Sequence, residues 1–128
     1  MIRVKATREG LIGKQTATGW TIDTVFPYVA LPSHRALGRW IIIRNVTNGI
    51  RCCAQVRDVG PFNTQDDSYV FQSLTADYLP NSPEIRPASE LGLSVSALGT
   101  NNAGIDLGDA VWKLLDMKDN TDIEWEFV

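Results

Sequence analysis

Val56-Arg57-Asp58-Val59-Gly60-Pro61-Phe62 is the stretch on which the reading of this chain turns. A β-rich run reaches an aspartate, and Gly60-Pro61 then ends the strand, since proline has no N–H to give to a sheet ladder. Asp58 is therefore expected at a sheet rim, where a substrate can reach it. A second stretch, Gly104-Ile105-Asp106-Leu107, places Asp106 at the start of a helix. Two carboxyls on one rim are the minimum for acid/base work on a glycosidic bond.

Upstream of Asp58 the pattern predicts a hairpin. Residues 40–47 and 50–57 are both rich in strand-forming residues and flank Asn48-Gly49, a pair that suits a type I′ turn because both positions need positive φ. Downstream, residues 63–103 hold Pro80, Pro83 and Pro87 and show no sustained period. They are expected to form a long surface insertion. From Gly108 to Met117, Val111, Leu114 and Leu115 recur at helical spacing and predict one buried stripe, with Asp109, Lys113 and Asp116 on the wet side. Asp122 to Phe127 alternates, with Ile123, Trp125 and Phe127 on one face of a closing strand.

Composition sets the limits. The chain has 128 residues, 44% of them hydrophobic, enough for one compact domain over residues 1–128. A net charge of −3 offers no basic field for nucleic acid or an anionic membrane. Cys52 and Cys53 are adjacent on a predicted strand and point to opposite faces, so no disulfide between them is expected. With a single histidine, His34, no zinc motif is present, and no metal or other cofactor is expected. Asp66-Asp67 reads as a solvated loop pair. The N-terminal residues lack the apolar run of a signal peptide, and no stretch has the length of a membrane span. Synthesis in the cytoplasm without an export signal is the expectation.

The order of these features resembles double-psi β-barrel domains. Leu31 to Gly38, the Asn48-Gly49 hairpin, Asp58-Val59-Gly60-Pro61-Phe62 and Gly104 to Leu107 followed by a helix are similar to the branch containing rare lipoprotein A, the MltA-type lytic transglycosylases and the 3D domains. Expansins and a class of endoglucanases are more distant relatives. The resemblance covers roughly residues 16–62 and 104–128. It implies a mainly β fold: a six-stranded double-psi barrel with one short helix, a cleft across one side, and the 63–103 segment inserted between the two motifs. Family members carry Asp-Arg-Gly-Pro-Phe at the first motif; here Val59 stands in place of the arginine.

The resemblance also implies glycan chemistry, with Asp58 and Asp106 as the catalytic pair and peptidoglycan glycan strands as the substrate. Trp20, in Thr18-Gly19-Trp20, is the candidate to stack on a sugar, and His34 lies near a polar position used by some relatives. Each aspartate also has a structural job open to it. Asp58 could satisfy backbone donors in the Gly60-Pro61 turn, and Asp106 could stabilise free N–H groups at a helix start. The four tryptophans are expected mainly in the core.

In glycan cleavage one carboxyl protonates the leaving oxygen while a carboxylate stabilises charge on the sugar ring. In a lytic transglycosylase the sugar's own 6-hydroxyl then attacks. A helix N-terminus beside Asp106 would favour its charged form and make Asp58 the donor, whereas in some relatives the acid matches Asp106. The division of labour stays open at this point. The competing reading is a non-catalytic structural or glycan-binding module, since fold does not fix function. A wall-directed domain without an export signal fits a bacteriophage tail or baseplate, where it would be virion-associated, contact other tail proteins, or act at the cell wall after lysis.

Overall fold

The computed structural model describes residues 1–61, 66–71, 87 and 103–128. Six strands make up its frame: β1 (Ile2–Arg8), β2 (Tyr28–Leu31), β3 (Trp40–Asn45), β4 (Arg51–Val59), β5 (Ile105–Leu107) and β6 (Asp122–Phe127). They close into a barrel in the order β1-β5-β2-β4-β3-β6. β1 and β5 run parallel, as do β2 and β4, while the other neighbours are antiparallel.

Alternation along the strands explains the closure. Val4 and Ala6, Val29 and Leu31, Ile41 and Ile43, Ala54 and Val56, Ile105 and Leu107, and Ile123 and Trp125 point inward from the six strands into one core. Burial of each larger side chain among them contributes about 1.5–3 kcal/mol. Trp125 is fully enclosed, and its Nε1–H donates to the Tyr69 hydroxyl at 2.9 Å. The other tryptophans depart from expectation: Trp40 is 42% exposed, and Trp20 and Trp112 are half-buried.

The predicted hairpin forms in a different register. Trp40 pairs with Gln55 and Arg44 with Arg51, leaving the five residues Val46 to Ile50 between the strands. Of the Asn-Gly pair only Gly49 has positive φ, so the turn is not type I′. Tertiary bonds account for the shift. The Asn45 and Asn48 side chains both donate to the Leu115 carbonyl, at 2.9 and 3.1 Å, and tie the loop to the end of the C-terminal helix.

Two short α-helices are described, α1 (Asp67–Val70) and α2 (Asp109–Leu114), with a 3-10 turn at His34–Ala36. α2 buries Val111, and Leu115 and Met117 just beyond its end are buried too, but Leu114 is 53% exposed. Asp109, expected on the wet side, is buried because Arg8 Nε reaches it at 2.7 Å. Within the expected insertion, only residues 66–71, 87 and 103 are described, and the rest of 63–103 lies outside the described residues. The described part is more than a surface excursion: Tyr69 on α1 is fully buried, and its hydroxyl donates to the Gly104 carbonyl at 3.0 Å. Among the described residues no helix is long and apolar enough to cross a membrane.

Candidate active site

Strand register brings the two sequence-predicted aspartates together. On β5, Ile105 and Leu107 face the core, so Asp106 faces out. It pairs with Ala30 on one side and Thr7 on the other. Asp58 arrives by a less direct route. β2 pairs Val29 with Val56 but Ala30 with Asp58, so β4 accommodates one extra residue at Arg57. Simple alternation from core-facing Val56 would send Asp58 inward; the bulge turns it to the outer face beside Ala30. Thr7, Asp106, Ala30 and Asp58 thus form one transverse row on the outside of the barrel. Asp58 and Asp106 flank Ala30 at two strand spacings, about 10 Å between Cα atoms.

A second row lies one pleat away. Glu9 follows β1 on the same face as Thr7, its N–H donating to the Leu107 carbonyl at 2.8 Å. Gly108 donates to the Tyr28 carbonyl at 3.0 Å, which sets Tyr28 beside it. A Cβ on Gly108 would stand 2.3 Å from Tyr28 Cε1, so the phenol ring lies directly against this glycine. Tyr28 and Glu9 then meet: among the described residues the buried Tyr28 hydroxyl and Glu9 Oε2 make no hydrogen bond of standard geometry, yet the two groups are close enough to perturb each other's ionisation.

The electrostatics follow from crowding. Glu9 is pushed up to about 8, first by burial and then by its hydrogen-bonding contact with Asp58, with the Asp106 charge adding a little. Tyr28 is raised by burial and by the Glu9 carboxyl. Asp106 is pushed up to about 6 by burial; a hydrogen bond from Thr7 Oγ1 works against this, and the Asp58 charge reinforces it. The helix-start argument for an ionised Asp106 does not hold, because Asp109 occupies the first turn of α2 and Asp106 lies three residues earlier on β5. Arg8 holds Asp109 below the usual carboxylate range.

Asp58 Oδ1 accepts two backbone N–H groups, from Ala17 and Val59, each at 2.9 Å. Its donors come from its own strand and from the loop before β2, not from the Gly60-Pro61 turn. Trp20, in the same loop, meets the Tyr28 ring edge-on at 5.1 Å and Phe26 at 5.8 Å. The Arg57 guanidinium lies 4.7 Å from the Trp20 ring and 3.6 Å from that of Phe26. Trp20 is therefore a near neighbour of the acids. His34 is exposed on its 3-10 turn, and among the described residues no hydrogen bond or ion pair joins it to them. Its neighbours Ser33 and Arg35 both engage Asp67, so that acid is partnered rather than a free loop charge.

Among the described residues no three His, Cys, Asp or Glu side chains are grouped to hold a metal ion. A separate cleft of about 380 Å³, lined by Asn45, Thr47, Asn48, Asp116, Lys118, Asp119 and Thr121, lies at the β3–β4 and α2–β6 loops and includes none of the outer-face acids.

A family model described as a domain of unknown function, DUF8814, matches residues 1–126. The chain belongs to the DUF8814 family. Among solved structures, this DUF8814 chain is similar to the Streptomyces papain inhibitor (SPI), with 15% identity and a TM-score of 0.49 over 97% of this chain and 92% of the other. No curated protein matches it.

Proposed function

We propose that this DUF8814 barrel is a double-psi barrel that cleaves peptidoglycan glycan strands in the manner of a lytic transglycosylase, with the 63–103 segment inserted between its two aspartate motifs. One observation carries the reading: Asp58 and Asp106 flank Ala30 on the outer face, one held by backbone donors and the other half-buried with its proton retained to about pH 6. The two parallel pairs, β1 with β5 and β2 with β4, support the double-psi topology.

In this mechanism Asp106 is the acid. Its proton passes to the glycosidic oxygen as the bond to the sugar carbon breaks, and Asp58 stabilises the positive charge that develops on the ring. The Asp106 carboxylate then takes the proton of the sugar's 6-hydroxyl as that oxygen closes on the same carbon. Asp106 ends protonated, as it began, and no water is consumed. Trp20 supplies an apolar wall for the sugar. A wall-directed barrel of this kind fits a bacteriophage tail or baseplate. Incubation with purified peptidoglycan tests the reading. Anhydro-sugar termini support it, reducing termini point to a hydrolase, and intact glycan with measurable binding favours a non-catalytic module.

A further inference from the structure

Glu9 belongs to no motif in the sequence, yet three features of the fold bring it to the outer face that carries Asp58. The parallel β1–β5 register puts Glu9 two residues beyond Thr7, on the outer face and next to Gly108. Gly108, lacking a side chain, admits the Tyr28 ring. The Arg57 bulge swings Asp58 onto the same face. We propose that Glu9 is a positioning residue that hydrogen-bonds Asp58 from the β1 side, with the Tyr28 hydroxyl enclosing the far side of its carboxyl. The inference rests on the proposed reading of the Asp58 and Asp106 site and adds a third acid to it.

A carboxyl can donate only while it holds its proton, and every group packed against Glu9 bears on this. Asp58 from β4 and Asp106 from β5 oppose its ionisation, and burial does so more strongly; Tyr28 from β2 favours it. The cation that precedes it in the chain, Arg8 at the end of β1, is committed to Asp109 at 2.7 Å. Glu9 therefore stays protonated through neutral pH and gives Asp58 a third donor beside Ala17 and Val59 N–H. Three donors fix the Asp58 carboxylate in one orientation, so its charge stays where the sugar ring would develop its own.

Carboxyl-carbon NMR titration of the full chain, alongside peptidoglycan product release, tests the assignment with Glu9→Gln, Glu9→Leu and Tyr28→Phe. In the wild type the Glu9 signal should titrate after that of Asp106, and the Asp58 carboxyl-carbon signal should report a second step, a shift as Glu9 gives up its proton. Glu9→Gln keeps an N–H donor and abolishes that second step. Glu9→Leu removes the donor and should lower turnover about tenfold at unchanged KM, as expected for a lost hydrogen bond to a charged group. The Gln variant should recover most of that loss. Tyr28→Phe should move the Glu9 step without abolishing it. Titration of Glu9 in the ordinary carboxylate range, or an Asp58 signal indifferent to Glu9→Leu, overturns the proposal. So does equal turnover in the Gln and Leu variants. A wild type that releases no product sinks the glycan reading, while the titration still decides the contact between Glu9 and Asp58.

Discussion

Gly108→Ala is the sharpest test of how this face is built. Gly108 has φ −65° and ψ 164°, a conformation any residue adopts, so alanine brings no backbone strain. The whole cost must come from space. A Cβ there would stand 2.3 Å from Tyr28 Cε1 and 2.6 Å from Cδ1, against ordinary contact at 3.4–4 Å. The ring must retreat by about 1 Å or more, and it is fully enclosed, with Trp20 edge-on at 5.1 Å. Overpacking on this scale costs about 1–3 kcal/mol. We place the loss at the upper end, about 2–3 kcal/mol, because the clash is with an aromatic ring rather than a flexible chain end. Urea unfolding at pH 6 reads the loss as a lower midpoint with an unchanged slope. The decisive arm is a double-mutant cycle: with Tyr28→Ala already present, Gly108→Ala should cost less than about 0.5 kcal/mol. Additive losses would refute the claim that this glycine exists to admit Tyr28.

Three further outcomes are expected. Folded Glu9 binds its proton up to about pH 8, against 4.5 for its ordinary value, so stability is highest at the acid end of that window and falls as pH rises through it. The ceiling is about 5 kcal/mol at 1.36 kcal/mol per pH unit, reduced to about 2 kcal/mol by the solvent contact Glu9 retains, and Glu9→Gln should flatten the measured slope. Release of muropeptides should decline above about pH 6 as Asp106 loses its proton, and Asp106→Asn and Asp58→Asn should each abolish it while near-native circular dichroism is retained. Tyr69→Phe leaves Trp125 Nε1 without this acceptor and the Gly104 carbonyl without this donor, and urea unfolding should show a loss of about 1–3 kcal/mol.

Some of this architecture is legible in the sequence alone. Alternation in 122–127 marked the closing strand, and the β-rich runs on either side of Asn48-Gly49 marked the hairpin, because a half-buried strand writes its two faces directly into sequence. The register was not legible. Asn48-Gly49 has the chemistry of a two-residue turn, but the Asn45 and Asn48 side chains bond Leu115, more than sixty residues away, and that tertiary gain overrides local preference. The slip is even, so every side chain keeps its face and the expected core survives. Asp109 was misplaced for a similar reason: its cover is Arg8, from the other end of the chain.

The candidate site was half legible, and the missing half has a common cause. Asp58 and Asp106 carry motifs, but strict alternation from Val56 would have aimed Asp58 into the core, and nothing in Val56-Arg57-Asp58 announces the bulge that prevents it. Glu9 carries no motif at all. Its one signal was the period-two pattern of Ile2 to Arg8, where Val4 and Ala6 turn inward and Thr7, with Glu9 after it, turns out. That pattern gives a face but no neighbour, since the parallel pairing of β1 with β5 joins residues about a hundred positions apart. Stability alone gives little reason for the result. The Asp58 charge raises the ionisation cost of both Glu9 and Asp106, and among the described residues Glu9 Oε2 and the Tyr28 hydroxyl are buried without a bond of good geometry. Gly108, at an ordinary φ, leaves a space that the Tyr28 ring enters. The proposed role of Glu9 beside Asp58 gives that cost a use, since local cost of this kind persists where a site exploits it.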